Sequence, residues 1–94
     1  MADIIEAIKK NDAKQVMHML EEWPELVDKT NRLGATLLHF AVLESNKEIV
    51  ELLLEYGARV NARDNRNWTP MKYAVLAGRD DIYRLLRLKG GIDY

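Results

Sequence analysis

The chain has 94 residues, which suffices for one small domain with a thin core and leaves little room for a deep active-site cavity. Its 14 basic and 15 acidic residues give a net charge of −1, so the overall charge indicates neither a nucleic-acid partner nor an anionic membrane. Cysteine is absent, which excludes disulfides, thiolate catalysis and cysteine metal sites within this sequence.

The first residues of the sequence carry no targeting pattern. Residues 1–6 lack the basic and apolar regions of a secretory signal peptide, and no apolar run reaches the length of a membrane span. The absence of cysteine is compatible with a reducing compartment. We therefore expect a cytoplasmic protein that does not enter a membrane.

Apolar residues recur at helical spacing in paired short segments, and the first pair lies at the start of the chain. The spacing predicts one helix from about Asp3 to Lys10 and a second over about residues 13–22. A short segment over residues 23–28 follows and contains one residue more than the corresponding segment later in the chain.

The second pair has clear start and stop signals. Thr36 is placed to cap a helix over residues 37–44, because its hydroxyl can accept a hydrogen bond from the first turn. The next helix is predicted over residues 47–56. Gly57 ends it, since glycine adopts the left-handed conformation without steric cost.

The third pair is bounded in the same way. Pro70 stands at the first position of a helix predicted over residues 70–77, where its missing N–H costs nothing. Gly78 stops that helix, and a last helix runs from residue 80 or 81 to about 89, before Gly90. The sequence thus predicts six short helices in three antiparallel pairs.

The second and third pairs are two copies of one unit. Residues 36–41 and 69–74 read Thr-Leu-Leu-His-Phe-Ala and Thr-Pro-Met-Lys-Tyr-Ala, and each residue lies 33 positions from its counterpart. Between residues 36–57 and 69–90, the identical pairs are Thr36/Thr69, Ala41/Ala74, Val42/Val75, Leu43/Leu76, Ile49/Ile82, Leu52/Leu85, Leu53/Leu86 and Gly57/Gly90. A fixed period of about 33 residues indicates a repeat architecture.

The second pair resembles the ankyrin repeat family. Its motif reads Gly34-x-Thr36-x-Leu38-His39-x-Ala41, then Glu48-Ile49-Val50-x-Leu52-Leu53-Leu54, then Gly57-Ala58-x-Val60-Asn61-Ala62-x-Asp64. The resemblance implies an all-α solenoid of three helix-turn-helix repeats with hairpin-like finger loops, in one domain over residues 1–94. The implied repeats cover about residues 1–30, 31–63 and 64–94, with the first and last atypical, as terminal repeats usually are.

The sequence offers little for catalysis. His39 lies three residues after Thr36, and the resemblance implies a structural hydrogen-bond clasp between them in place of a base or a metal ligand. No nucleophile elbow, phosphate-binding loop, zinc-protease motif or calcium loop is present in the sequence. We expect neither enzyme activity nor a cofactor or metal site.

The resemblance implies a protein partner that contacts the finger tips and the exposed faces of the first helices. Carried over position by position, the partner-binding residues are Arg32, Leu33, Ala35, Leu43 and Glu44 in the second repeat, and Asn65, Arg66, Trp68, Leu76 and Ala77 in the third. Trp68 and Arg66 are of the types most enriched among residues that carry binding energy. The other reading of Trp68 is that its indole lies flat on the next helix as a surface cover.

The outer flank of the third repeat is only partly polar. Arg87 stands where the second repeat has Leu54, so a charged residue covers the apolar flank only in part. The chain is therefore expected to be either a monomer or weakly self-associating through the last repeat. The alternative function is accordingly a self-associating or engineered repeat scaffold without a natural ligand.

The resemblance also implies a modification site at Asn61. This residue matches the finger asparagine that oxygenases hydroxylate in some arrays of the resembled family, although Arg59 replaces an acidic residue nearby.

Overall fold

A computed structural model describes residues 4–44 and 47–92 of the chain. Over these ranges the chain forms six α-helices, one 3₁₀ helix and no strand. The elements are α1 Ile4–Lys9, α2 Ala13–Glu22, the 3₁₀ helix Pro24–Asp28, α3 Leu37–Glu44, α4 Lys47–Glu55, α5 Pro70–Ala77 and α6 Asp80–Leu88. The predicted all-α architecture is confirmed, and the helix bounds agree to within a residue. The predicted start at Asp3 lies outside the described residues.

Short polar side chains and glycine set several helix ends. Asp12 Oδ1 accepts the N–H of Gln15 at 3.1 Å at the start of α2, and Thr69 Oγ1 accepts the N–H of Lys72 at 3.2 Å at the start of α5. Gly78 ends α5 with a φ of 69°. Helices this short are only marginally stable in isolation, so their stability comes from packing against neighbouring helix pairs.

The helices form two layers. In the first layer α3 packs against α1 and α5, and in the second layer α4 packs against α2 and α6. The fully buried side chains of the second layer are Val16, Leu20, Ile49, Val50, Leu53, Ile82 and Leu86. Leu38 of α3 is also fully buried, so one apolar seam runs between the layers through all three helix pairs.

The 3₁₀ helix is the element that the sequence pattern does not predict. It occupies the segment with the additional residue, and Pro24 stands at its first position, where proline is tolerated. Val27 of this helix is buried in the core, whereas Trp23, just before it, is about half exposed. The extra residue is thus accommodated by a tight turn that still contributes one core side chain.

Candidate partner-binding surface

Two loops join the helix pairs, and we call them the first finger (residues 29–36) and the second finger (residues 62–69). In the first finger, the Asn31 side-chain oxygen accepts the N–H groups of Leu33 and Ala35 at 2.9 and 3.0 Å. The chain reverses at Gly34, which has a φ of 77°. Asparagine favours such turns because its side chain replaces the missing backbone partners.

The second finger repeats this turn 33 residues later. Asp64 Oδ1 accepts the N–H groups of Arg66 and Trp68 at 2.8 and 3.0 Å, as Asn31 does in the first finger. Asn67, with a φ of 65°, takes the left-handed position that glycine has there. Asparagine tolerates that conformation better than most residues, so the two tips adopt the same shape with different side chains.

The finger tips are hydrogen-bonded to each other. The Asn65 N–H donates to the Leu33 carbonyl at 2.8 Å, and the Asn65 side-chain amide donates to the Arg32 carbonyl at 3.0 Å. A Cβ atom on Gly34 would lie 2.5 Å from the Asn65 side-chain oxygen and 3.0 Å from the Asn65 backbone nitrogen, so a larger residue there would displace Asn65. The tips therefore form one continuous surface.

His39 holds the base of the fingers together. Its Nδ1 accepts the N–H of Thr36 at 3.0 Å, and its Nε2 lies 2.8 Å from the Trp68 carbonyl, to which it donates. The ring is fully buried, and burial lowers the pKa of His39, so the neutral form is favoured. The structural clasp predicted for His39 is confirmed.

A buried carboxylate organises the second finger. Asp64 is only 4% exposed, and its Oδ2 accepts hydrogen bonds from the Tyr73 hydroxyl and, at 3.3 Å, from the Arg66 guanidinium. Burial alone would raise the pKa of Asp64, but the bonds from Tyr73, from the Trp68 and Arg66 N–H groups and from the Arg66 side chain hold it at about 2. Asp64 therefore stays ionised and fixes these groups around it.

This network sets the position of Trp68. The Arg66 guanidinium lies 3.7 Å from the centre of the indole, and the Lys72 ammonium lies 5.5 Å from it. Tyr73 meets the indole edge-on, with ring centres 6.0 Å apart. Trp68 is half-buried, and the plane of its indole lies at 85° to the Tyr73 ring. Its role, in partner binding or as a surface cover, stays a prediction.

Comparison with known proteins bears directly on this arrangement. A family model described as ankyrin repeats, in three copies, matches residues 4–94. This chain belongs to the ankyrin repeat family. The fingers, the His39 clasp and the shared seam between helix pairs are thus the ankyrin architecture that the motif predicts.

Several curated proteins are similar to this ankyrin chain. Protein phosphatase 1 regulatory subunit 27 of Mus musculus is 37% identical over 82 residues, which are 87% of this chain and 53% of that protein. Serine/threonine-protein kinase VIK of Arabidopsis thaliana is 40% identical over 85 residues, or 90% of this chain and 19% of the kinase. Notch-regulated ankyrin repeat-containing protein A of Danio rerio is 30% identical over 87 residues, which are 89% of this chain and 78% of that protein. The chain thus spans about half the length of the phosphatase subunit.

Most of the predicted partner-binding residues of the ankyrin repeats are exposed. Leu33 and Leu76 are each 61% exposed, which is high for leucine. The other exposed members are Arg32, Leu43, Glu44, Asn65, Arg66 and Ala77, while Ala35 and Trp68 are half-buried. Leu43 and Leu76 take equivalent positions on the neighbouring helices α3 and α5. The role of these residues in binding stays a prediction.

Val75 is a surface residue that the sequence does not single out. It is 50% exposed, whereas Val42, at the same position one repeat earlier, is fully buried. The reason is that α3 packs between α1 and α5, while within the described residues α5 has no helix pair on its outer side. Position within the repeat array, and not residue type, decides the exposure.

Asn61 is engaged by the turn after α6. Its side-chain amide donates to the Gly90 carbonyl at 3.0 Å, and its side-chain oxygen accepts the Ile92 N–H at 2.8 Å. The Thr69 hydroxyl donates to the Ile92 carbonyl at 3.1 Å. Asn61, just before the second finger, therefore ties the end of the third repeat to the end of the second, and its hydroxylation stays a prediction.

An open cleft of about 760 Å³ lies away from most of the predicted binding residues. It borders the 3₁₀ helix, and its apolar walls include Ile5, Trp23, Leu26 and Phe40. Of the predicted residues, only Ala35 lines it. The cleft also borders the first finger, whose lining residues are Lys29, Thr30, Asn31, Ala35 and Thr36, so it adjoins the candidate surface on the side of the first repeat.

Two classes of site have no structural support among residues 4–44 and 47–92. No three His, Asp or Glu side chains are grouped there to hold a metal ion. No helix there has both the length and the apolar character that crossing a bilayer requires.

Proposed function

We propose that this ankyrin chain binds a protein partner through its finger tips and the exposed faces of α3 and α5, and that it performs no chemistry itself. Ankyrin repeats generally serve as protein-protein interaction modules. We place that interaction in the cytoplasm, in keeping with a chain that has no cysteine.

The observation that carries the proposal is the fixed position of Trp68 and Arg66 at a shared finger surface. Asp64 accepts hydrogen bonds from the Arg66 side chain and from the Trp68 backbone N–H, and the Arg66 guanidinium lies over the Trp68 indole. The Asn65 bonds hold the two tips together. A surface ordered in advance loses less conformational entropy on binding, which favours affinity. Tryptophan and arginine are also the types that most often dominate binding energy.

Exposed apolar side chains extend this surface along the helices. Leu33 lies at the first finger tip, and Leu43 and Leu76 lie near the ends of α3 and α5. Arg79 donates to the Leu43 carbonyl at 2.7 Å, which connects the two helix ends. Exposed apolar residues in such an arrangement, bordered by charges, are typical of interaction sites.

The test is a co-precipitation from the native cell with the wild type and three single substitutions, Trp68→Ala, Arg66→Ala and Leu76→Ala. Glu51→Ala, on the exposed face of α4, is the control. We expect each finger or α5 substitution to reduce partner recovery and the control to leave it unchanged. Equal recovery with all of the variants would remove this surface as the binding site.

The second candidate function is a self-associating repeat scaffold, and the half-exposed Val75 favours it. Leu88 of α6 is also largely exposed, so the third repeat presents apolar side chains from both of its helices. A scaffold of this kind would assemble with rising concentration through that repeat. Sedimentation that shows a monomer at every concentration would refute it.

A further inference from the structure

The charges of this chain are unevenly distributed, although its net charge is only −1. The fingers hold four basic residues, Lys29, Arg32, Arg63 and Arg66, and one acidic residue, Asp64. The helices α2 and α4 hold five acidic residues, Glu21, Glu22, Glu48, Glu51 and Glu55, and two basic residues, Lys14 and Lys47, whereas α6 holds two of each, Asp80, Asp81, Arg84 and Arg87. The finger side of the molecule is therefore positive, and the opposite side is negative over α2 and α4 and balanced over α6.

The single finger carboxylate neutralises one of the finger cations. Asp64 is buried and pairs with the Arg66 guanidinium at 3.3 Å, and it also accepts hydrogen bonds from Tyr73 and two backbone N–H groups, so it offsets Arg66 and not the other finger cations. Arg66 itself remains about half exposed while it contacts Asp64. Lys72, on the first turn of α5, adds a cation 5.5 Å from the centre of the Trp68 ring.

Cations and apolar groups are mixed on this surface. Arg32 and Leu33 are neighbours at the first tip, and Arg66 and Lys72 flank Trp68 at the second. A nucleic-acid backbone calls for a broad positive surface, and here the cations are few and the opposite side is acidic. A peptide that carries both carboxylates and apolar side chains matches such a mixture better.

We propose that the finger tips bind an acidic peptide segment of the partner, with Asp or Glu carboxylates facing Arg32 and Lys72 and an apolar side chain beside Trp68. This inference rests on the proposed function and adds to it the chemistry of the partner. The rigid fingers position the cations, so charge complementarity selects the partner and speeds its association.

The test uses a random peptide library displayed on phage and selected against the immobilised wild-type chain. The binding of the selected peptides is then measured by fluorescence anisotropy. The charge-reversed variant carries Arg32→Glu and Lys72→Glu, which lie outside the Asp64 network. The matched control carries Lys14→Glu and Lys47→Glu on α2 and α4, which gives the same change in net charge. A single-stranded oligonucleotide serves as a competing ligand.

We expect the selected peptides to be richer in Asp and Glu than the library. Charge reversal at the fingers should weaken their binding about tenfold or more, and the control should leave it nearly unchanged. Binding should also weaken as salt rises, because exposed charges are screened. An oligonucleotide that binds with the same sensitivity to Arg32→Glu and Lys72→Glu would overturn the proposal in favour of nucleic acid.

The remaining outcomes separate this inference from the proposed function. Peptides that show no acidic enrichment, but lose binding with Trp68→Ala and Leu76→Ala, would overturn the acidic partner and leave the binding surface in place. Peptides that bind all of these variants equally would overturn both. A selection that yields no binding peptide would also overturn the peptide proposal, and the co-precipitation would then decide the function separately.

Discussion

Val42 and Val75 offer a matched test of the stacked seam, because they are the same residue at the same repeat position with different exposure. Val42 is fully buried and Val75 is 50% exposed. Substitution of either by alanine removes two carbon atoms from the equivalent place on α3 or α5. Any gain in helix propensity is the same at both sites and cancels in the comparison.

The expected losses follow from burial. At about 0.8 kcal/mol for each buried carbon, Val42→Ala loses about 1.6 kcal/mol of transfer free energy, and a cavity contribution raises this to about 2 kcal/mol. Val75→Ala loses about 0.8 kcal/mol or less, because half of the side chain already contacts water and little cavity forms. The difference in unfolding free energy should be about 1 to 1.5 kcal/mol.

Urea unfolding followed by circular dichroism, with linear extrapolation to water, measures both values. The corresponding gap in Tm is several degrees, since about 1 kcal/mol shifts a domain of this size by about 4–8 °C. Equal losses at low protein concentration would refute the idea that array position determines the exposure of Val75. Losses that become equal only at high concentration would favour self-association through the third repeat.

Three further predictions concern the fingers. Gly34→Ala should destabilise the chain by about 1 kcal/mol more than Gly78→Ala, because both glycines have positive φ but only at Gly34 would the added methyl group clash with Asn65. Equal losses of unfolding free energy in urea would contradict this expectation. Burial lowers the pKa of His39 below its ordinary 6.5, so neutral His39 contributes to stability above pH 6.5, and this contribution is lost as pH falls below that value. The stability of His39→Gln should therefore depend less on pH over that range. An unchanged pH profile of the unfolding free energy would be inconsistent with the clasp. Tyr73→Phe should cost about 1.5–3 kcal/mol by removing a hydrogen bond to the Asp64 carboxylate; a neutral effect would show that this bond does not stabilise the second finger.

Much of the fold could be predicted because it depends on local, periodic signals. The 33-residue period places Thr36 and Thr69 at equivalent helix starts and Gly57 and Gly90 at equivalent helix ends. These features depend on neighbours within a few residues. A repeat pattern therefore predicts them without knowledge of tertiary contacts.

The unpredicted features are contacts between segments that the period does not relate. Tyr73 stands where the second repeat has Phe40, so the pattern predicts only an aromatic residue and not the hydroxyl that bonds Asp64. The edge-on orientation of Trp68 depends on that same tyrosine. The 3₁₀ helix arises from an insertion, for which the repeat offers no template.

The exposure of most candidate-site residues could be predicted from the sequence, but the contacts among them could not. The exposed Leu33 and Leu76 agree with the positions taken from the motif, because surface positions recur with the period. The exposure of Val75 could not be predicted in this way, since it depends on whether another helix packs against the outer side of α5. The clustering of Arg66 and Lys72 around Trp68 depends on side-chain geometry, which a linear pattern does not contain.

Site-specific photo-cross-linking in the native cell measures whether a partner protein contacts the finger side of this chain. A photoreactive residue is introduced in place of Leu76 on α5, or in place of Glu51 on α4 as the opposite-side control; both positions are exposed. We expect a specific cross-linked protein from position 76 and none from position 51. A partner captured at position 51 and absent at position 76 would contradict the proposed binding surface.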